Sequence, residues 1–173
     1  GGSPNAAGLR KSVYTEDLAV KHKFPLVRLH EGGGGSVAGP SKEKKGYGGD
    51  PVFARSRFKS VAQTLKEVPV VSAALGPVAG LPASRFVGSH FRIMVKDNAQ
   101  ILVAGPAVVS RAFGKDFTKE ELGGSDVHKK NGVTDNIAES EEDAFNQIKK
   151  FLSFFPANIY ELPPKKESKD DIN

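Results

Sequence analysis

Short apolar runs alternate with amphipathic segments along this chain of 173 residues. Strands of a buried sheet are predicted where the apolar runs are short and uninterrupted, at residues 25–30, 68–75, 91–95 and 101–104. Helices are predicted where apolar residues recur at helical spacing or helix-start signals occur, at residues 4–23, 58–65, 80–89, 106–112, 118–121 and 140–155. Because strands and helices alternate along the chain, the pattern predicts an α/β fold.

Two glycine-rich turns each follow a predicted strand. The first follows the strand at 25–30 and opens a glycine-rich segment, residues 32–51, which is expected to be a long flexible loop. The second is expected to begin at Gly76-Pro77 and includes Gly80. Glycine allows positive φ and lets a ligand approach the main chain closely. Two such turns could therefore direct backbone N–H groups at one developing oxyanion, although plain connectors have the same composition.

Phosphate-binding motifs fit the first turn poorly. Gly33-x-Gly35-x-x-Ala38 formally matches the dinucleotide fingerprint, but Pro40 and further glycines stand where a helix should begin. The acid expected next would have to be Asp50, which precedes a proline. The separation of Gly34 and Gly39 suits a P-loop, yet Pro40 occupies the position that requires lysine. Both interpretations are therefore disfavoured.

Composition excludes several other classes of protein. Cysteine is absent, so disulfides, thiolate metal sites and cysteine nucleophiles are excluded. The net charge of +5 suits an anionic ligand but is too diffuse to indicate nucleic acid. No apolar stretch approaches the roughly 20 residues that cross a bilayer. Three lysines of the first loop are either solvated or candidates for contact with cofactor phosphates: Lys42, Lys44 and Lys45.

Side-chain catalysis has little support. The sequence has no G-x-S-x-G elbow, and neither Ser36 nor Ser72 has an evident base nearby in the sequence. The four histidines lack the spacing of metal ligands and are expected to be structural: His22, His30, His90 and His128. These observations leave the backbone of the two turns as the main candidate for chemistry, and they predict no metal.

An ordered set of motifs covers about half of the chain. It comprises Ala74-Leu75-Gly76-Pro77-Val78-Ala79-Gly80, Phe91-Arg92-Ile93-Met94-Val95-Lys96-Asp97, Val103-Ala104-Gly105-Pro106-Ala107-Val108-Val109, Thr118-Lys119-Glu120-Glu121-Leu122-Gly123-Gly124 with His128, Asn131-Gly132-Val133, and Glu139-Ser140-Glu141-Glu142-Asp143-Ala144. In this set the chain resembles the carboxyltransferase (β) subunits of biotin-dependent acyl-CoA carboxylases, the propionyl-CoA and methylcrotonyl-CoA group.

The resemblance implies a crotonase-like ββα superhelix, here truncated at its amino end. It also implies carboxyl transfer from carboxybiotin, borne by a carrier domain, to the α-carbon of a coenzyme A thioester. The partners that it implies are a second, C-terminal carboxyltransferase half, a biotin carboxylase and biotin carrier subunit, and further copies in a homo-oligomer. Two alternatives stay open: a biotin-dependent acyl-CoA decarboxylase subunit, and a non-catalytic scaffold that binds coenzyme A.

The resemblance also carries over candidate site residues. The oxyanion donors would be the backbone N–H groups of Gly33, Gly34, Ala79 and Gly80. Cofactor contacts would come from Gly76, Pro77 and Leu81, together with Lys42, Lys44 and Lys45. The chain departs from the family pattern at Leu81-Pro82, where the family has Gly-Ala, and Pro82 has no N–H to donate.

The domain organisation follows from the same resemblance. Residues 1–160 would form part of the N-terminal carboxyltransferase domain, and residues 161–173 would form a charged linker or tail. A piece of a larger enzyme should lack turnover by itself. The surface that its missing partners would cover should favour self-association.

Overall fold

The computed structural model describes residues 6–33, 57–163, 165 and 167. Its helices are α1 (Ala6–His22), α2 (Arg57–Glu67), α3 (Leu81–Val87), α4 (Pro106–Phe113), α5 (Lys119–Gly123), α6 (Ser125–Asn131) and α7 (Glu141–Leu152). Its strands are β1 (Leu26–Gly33), β2 (Val70–Ala79), β3 (Phe91–Val95), β4 (Gln100–Leu102) and β5 (Asn136–Ala138). The helices fall largely where the apolar periodicity predicts them, and β3 has the predicted bounds.

The strands form one parallel sheet in the order β1-β2-β3-β5, with β4 paired to the second half of β2. Parallel strands need crossover connections, which helices provide, and they are normally covered on both faces. β2 shows this directly, because most of its residues are buried without alternation. The carboxyl ends of neighbouring strands therefore meet at one edge of the sheet.

The Gly76-Pro77 motif lies inside β2, so the prediction that the second turn begins there is wrong. Between the pairs His30↔Ala74 and Gly32↔Val78, a single β1 residue, Glu31, faces three residues of β2. β2 also changes partner at this point, from β3 to β4. A bulge at such a change tolerates proline, which cannot donate to the ladder. The strand consequently continues to Ala79, and the turn follows it.

Two apolar clusters hold the helices on the sheet. The larger one packs α3 and α7 against β2, β3 and β4, and includes Phe86, Ile93 and Met94, all without exposed area. The smaller one joins α1 and α2 to the beginnings of β1 and β2 through Ala19, Leu26, Val68 and Val70. The end of β2 is therefore backed by the main core, while β1 is the outer strand of the described sheet.

The boundaries of several elements differ from the sequence prediction. Residues 32 and 33 of the expected loop belong to β1, which runs through Gly33, and residues 34–51 lie outside the described residues. Two short elements, α6 and β5, were not predicted, since neither has a pattern long enough to detect. The cap predicted for the last helix is present: the Ser140 hydroxyl accepts a hydrogen bond from the Asp143 N–H at 3.1 Å. The Asp143 carboxylate accepts from the N–H of Glu139 rather than from that of Ser140.

Candidate active site

The two glycine turns lie side by side at the carboxyl edge of the sheet. Gly33, the last residue of β1, pairs with Ala79, the last residue of β2. Gly80 follows directly and precedes α3. In open α/β sheets, ligands bind outside the carboxyl ends of strands, so this edge is the natural place for a site. The sequence prediction that both turns can act on one group requires this adjacency.

The backbone at Gly33 requires glycine for two reasons. Its φ of +114° is a conformation that L-residues rarely adopt. A Cβ placed there would also lie 2.5 Å from Cγ of Pro82 and 3.2 Å from the carbonyl oxygen of Ala79. Pro82 thus packs directly on the first turn. The position at which the chain departs from the pattern of the family that it resembles therefore lies against the candidate site.

The second turn is fixed by hydrogen bonds of its own backbone. Gly80 has φ 68° and ψ −131°. Its carbonyl accepts a hydrogen bond from the N–H of Ser84 at 3.1 Å, and this is the first hydrogen bond of α3. The N–H of Gly80 donates to the carbonyl of Leu102 in β4 at 3.2 Å. That N–H is thus already engaged, so it can act on a ligand only if this bond breaks or is shared.

A buried ion cluster lies behind the first turn. The Glu16 carboxylate of α1 contacts Arg28 Nη2 of β1 at 2.9 Å and Arg85 Nη2 of α3 at 3.0 Å. It also accepts from the Ser60 hydroxyl of α2 at 2.7 Å. The side chains of Glu16 and Arg28 are only 4% and 8% exposed. The ion cluster, Glu16, Arg28 and Arg85, therefore joins α1, β1 and α3, with α2 added through Ser60, and holds one more positive than negative charge.

Hydrogen bonding only partly satisfies this cluster. Arg28 Nη1 donates to the carbonyl of Gly88 at 2.8 Å. Three buried guanidinium nitrogens have no hydrogen-bond acceptor among the described residues: Arg28 Nε, Arg85 Nε and Arg85 Nη2. The contact between Arg85 and Glu16 is accordingly an ion pair by distance, without hydrogen-bond geometry. Burial lowers the pKa of Arg28, although the Glu16 carboxylate acts in the opposite direction.

His30 lies beside this cluster and meets a serine that the sequence left without a base. Its Nε2 is 3.2 Å from the Ser72 hydroxyl, which is 2.7 Å from the Ser89 hydroxyl. Burial lowers the pKa of His30 to about 4, and the charges of Arg28 and Arg85 act in the same direction. Ser72 has no exposed area, so a substrate cannot reach its hydroxyl, although His30 lines the cavity along β1. The contact is structural, and only the pairing of strands reveals it.

Two cavities flank α3. One, of about 410 Å³, lies along β1 and is partly polar, with Glu16, Arg28, Arg85 and Pro82 in its wall. The other, of about 460 Å³, is mostly apolar and extends from Gly80 to β4 and α6. The first cavity adjoins the first turn at Gly32, and the second adjoins the second turn at Gly80. The turns therefore have accessible space next to them, with different polarity on each side.

The structure separates the predicted cofactor residues into three groups. Leu81 is at the second turn, as the first residue of α3. Gly76 is buried inside β2 beneath Glu31, and Pro77 follows it in the bulge, so neither belongs to the turn itself. The remaining candidates lie outside the described residues: Gly34, Lys42, Lys44 and Lys45. Their roles stay predictions.

The described part of the chain has neither a candidate metal site nor a helix that could span a membrane. Among residues 6–33 and 57–163, no group of three His, Cys, Asp or Glu side chains is placed to hold a metal ion. Across those same residues, the helices are each too short or too polar to span a membrane.

Comparisons with known proteins point to one family. The sequence profile of the family described as "Carboxyl transferase domain" matches residues 1–173. The chain is 32% identical to methylmalonyl-CoA decarboxylase subunit alpha of Veillonella parvula over 99% of its own length and 32% of that protein. It is 30% identical to the propionyl-CoA carboxylase beta chain of Roseobacter denitrificans, again over 99% of itself and 32% of the relative. The chain thus spans about a third of the length of these relatives.

A solved structure gives the same answer for the fold. Transcarboxylase 12S, a hexamer solved with hydrolyzed methylmalonyl-coenzyme A bound, superimposes with a TM-score of 0.76 at 26% identity. The match covers 99% of this chain and 33% of that one. The expectation of an α/β, crotonase-like fold is therefore confirmed.

Proposed function

Because the chain belongs to the carboxyl transferase domain family, we propose that it is part of the N-terminal half of an acyl-CoA carboxylase carboxyltransferase. The reaction would move a carboxyl group to the α-carbon of a coenzyme A thioester, and bound carboxybiotin would supply that group. The observation that carries the proposal is the pairing of Gly33 with Ala79, which puts the two turns next to each other.

The proposed chemistry of this chain is electrostatic. When the α-proton leaves the thioester, negative charge develops on the carbonyl oxygen, and preorganised N–H groups stabilise it. The proposed donors are Gly33 and Gly34 from the first turn, with Ala79, Gly80 and Leu81 from the second. Leu81 begins α3, where an N–H has no acceptor within the helix. Because Gly80 already donates to Leu102, Leu81 is the readier donor of the second turn.

The site is compatible with a coenzyme A thioester. No side chain projects from Gly80, so a carbonyl can approach the main chain of the second turn, whereas Pro82 covers the corresponding side of Gly33. The ion cluster beside the first turn has an excess positive charge, which suits the anionic half of coenzyme A, and Lys42, Lys44 and Lys45 remain proposed phosphate contacts. Other parts of the enzyme would bind biotin, including the C-terminal half, the biotin carrier subunit and further copies of the chain. Exposed apolar side chains on and before α4, such as Val103 and Phe113, are consistent with such assembly.

Deletion of one donor in the full-length subunit tests the proposal. With the biotin-bearing partner present, Gly34→Pro should lower acyl-CoA carboxylation by a factor on the order of 100 to 1,000, because it removes one N–H from the oxyanion site. Gly34→Ala keeps the N–H and is the matched control, and thermal unfolding of both variants checks that they fold. Equal turnover in the proline and alanine variants would reject this assignment.

A decarboxylase subunit is the second candidate, since one relative is a methylmalonyl-CoA decarboxylase subunit. It would use the same turns to stabilise the same charge as the carboxyl group leaves. Assays of the full-length subunit in both directions, with the genomic neighbours of the complete gene, separate the two candidates. Sustained turnover in either direction would exclude a non-catalytic scaffold, and we propose that the isolated 173-residue chain has none.

A further inference from the structure

We infer that His128 is a positioning residue for the second glycine turn, which it holds through β4 as a neutral imidazole protonated at Nε2. The inference rests on the proposed function for its catalytic consequence, but its structural part does not. It concerns a histidine that does not contact the second turn directly, although it lines the cavity that extends from Gly80. A path of two hydrogen bonds, to the carbonyls of the adjacent β4 residues Ile101 and Leu102, connects His128 to the turn.

The first step of this path is the contact between His128 and β4. Nε2 of His128 is 2.8 Å from the carbonyl oxygen of Ile101, and the contact is buried. A carbonyl oxygen can only accept, so Nε2 must carry the proton and donate it. His128 itself is only 9% exposed, which shields this hydrogen bond from competition with water.

The other ring nitrogen, Nδ1, accepts a hydrogen bond, whereas Nε2 donates one. The amide group of Asn131 places Nδ2 3.2 Å from His128 Nδ1. Its Oδ1 accepts from the N–H of Val133 at 3.1 Å and lies farther from the ring, at 3.4 Å. Because a backbone N–H can only donate, Oδ1 must face Val133 and Nδ2 must face the ring. His128 Nδ1 is therefore the acceptor and carries no proton.

The path has one consistent direction from end to end. Val133 donates to Asn131, Asn131 donates to His128, and His128 donates to Ile101. Adding a second proton to the ring would set two donors against each other at Nδ1. Turning the Asn131 amide over would relieve that clash but would then oppose the Val133 N–H. The neutral Nε2–H form is thus the one that satisfies every group.

The second step connects Ile101 to the turn. The next residue, Leu102, accepts the Gly80 N–H at 3.2 Å and pairs with Ala79. β4 has only three residues, so few ladder hydrogen bonds of its own hold it in place. Contacts from α5 and α6 therefore matter for its position. A shift of Ile101 would move the carbonyl that orients Gly80.

A second contact presses on the same carbonyl. A Cβ on Gly123 of α5 would overlap the carbonyl oxygen of Ile101, so the α5 backbone lies directly against it. One residue earlier in β4, Gln100 Nε2 donates to the Glu120 carboxylate at 3.0 Å. The Leu-Gly-Gly motif and His128 thus act on the same short strand. Contact with β4 therefore gives a structural reason for Gly123 and His128, to which the oxyanion chemistry assigns no role.

The protonation state of His128 tests the structural part without any assay of activity. In the isolated chain labelled with ¹⁵N at histidine, heteronuclear NMR at neutral pH should report His128 as neutral, with the proton on Nε2. A ring protonated on Nδ1, or on both nitrogens, would overturn the inference. His22, which is exposed and stacks on Phe24, provides the internal reference for a histidine at the surface.

Hydrogen exchange tests the connection to the turn. In His128→Leu, the Gly80 amide should exchange at least several-fold faster, because its acceptor strand has lost one anchor. In His128→Gln, whose Nε2 can replace the imidazole donor, exchange should return towards the wild-type rate. The Val68 amide, which donates to Thr64 on the far side of the molecule, is the control and should not change. Unchanged exchange at Gly80 in His128→Leu would contradict the inference.

Kinetics of the full-length subunit test the catalytic consequence. We expect His128→Leu to lower kcat by a factor on the order of 10 to 100 with little change in KM for the acyl-CoA, because misplacement of a donor acts on the transition state. His128→Gln should restore most of kcat, and His22→Gln should match the wild type. A folded His128→Leu variant with wild-type kcat would overturn the positioning role. If the wild type itself has no turnover, the proposed function fails, while the exchange and NMR results still decide the structural part.

Discussion

The two turns end neighbouring strands but are held in place by opposite means. The first is backed by the buried ion cluster and by His30, and its strand is the outer one of the described sheet. The second is backed by the main apolar core and by the neutral chain of hydrogen bonds through His128. Losing one partner of a buried ion pair is strongly destabilising, and a buried histidine whose pKa is lowered makes stability depend on pH. The first turn should therefore respond to the loss of a charged group and, through His30, to pH.

Of the changes that test this comparison, removal of the Glu16 carboxylate from the ion cluster should lower stability most. We expect Glu16→Gln to lower the free energy of unfolding by about 3–5 kcal/mol, because two buried guanidinium groups would lose the carboxylate that both contact. Urea unfolding measures this. Glu142→Gln, on the exposed first turn of α7, is the matched control and should change it by at most about 1 kcal/mol. If both variants lost the same small amount, the ion cluster would not hold the first turn.

A methyl group at the first turn should be nearly as disruptive. Gly33→Ala combines an unfavourable positive φ with a clash against Pro82, so we expect a loss of about 3 kcal/mol. Gly105→Ala, where a Cβ would meet open space, is the control. In a Pro82→Ala background the nearest clashing atom is gone, and Gly33→Ala should cost roughly 1 kcal/mol less. An identical cost in both backgrounds would show that Pro82 does not press on the turn.

The titration of His30, beside the first turn, should make stability depend on pH. This effect should be smaller than those of the two substitutions above. The pKa of His30 is about 4 in the folded protein, against 6.5 when exposed, so the unfolded chain binds the proton more readily between these values. The stabilisation is complete above about pH 6.5 and declines as the pH falls, by about 2 kcal/mol at roughly pH 5.

A neutral substitution isolates this contribution from the titration of other groups. His30→Gln should lose that part of the pH dependence, which urea unfolding at several pH values measures against the wild type. A slope unchanged by His30→Gln would place the titrating group elsewhere.

Local patterns predicted the elements of this fold better than their connections. The apolar run of β3 and the cap at Ser140 depend on neighbouring residues only, and both were predicted closely. The continuation of β2 through Gly76-Pro77 depends on a change of partner strand, which a single sequence does not reveal. β5, with three residues, gives no periodic signal.

β1 shows most clearly where binary patterning fails. Arg28 and His30 point into the protein, while Val27 and Leu29 are 38% and 53% exposed. An apolar-inward register would have been the ordinary expectation. The inward positions are polar because they face Glu16, Ser72 and the other polar groups of α1, α2 and α3. Such exceptions to patterning tend to mark functional or strained regions, and here one lies directly behind the first turn.

The candidate site was predictable in its chemistry but not in its details. Glycine turns after parallel strands suggested backbone donors, and the strand pairing brings Gly33 and Ala79 together as that idea requires. The sequence could not reveal that the Gly80 N–H is engaged by Leu102, nor that His128 reaches the same strand. Both contacts join residues more than 20 positions apart, and neither belongs to a spacing motif.

The central claim is that backbone N–H groups of the two turns polarise one thioester carbonyl. Infrared difference spectroscopy of an acyl-CoA, ¹³C-labelled at the thioester carbonyl and bound to the full-length subunit, measures this polarisation directly. The account predicts a carbonyl stretch at lower frequency than in water, with a smaller shift in Gly34→Pro and an unchanged shift in Gly34→Ala. A bound thioester whose carbonyl stretch matches that in water would contradict it.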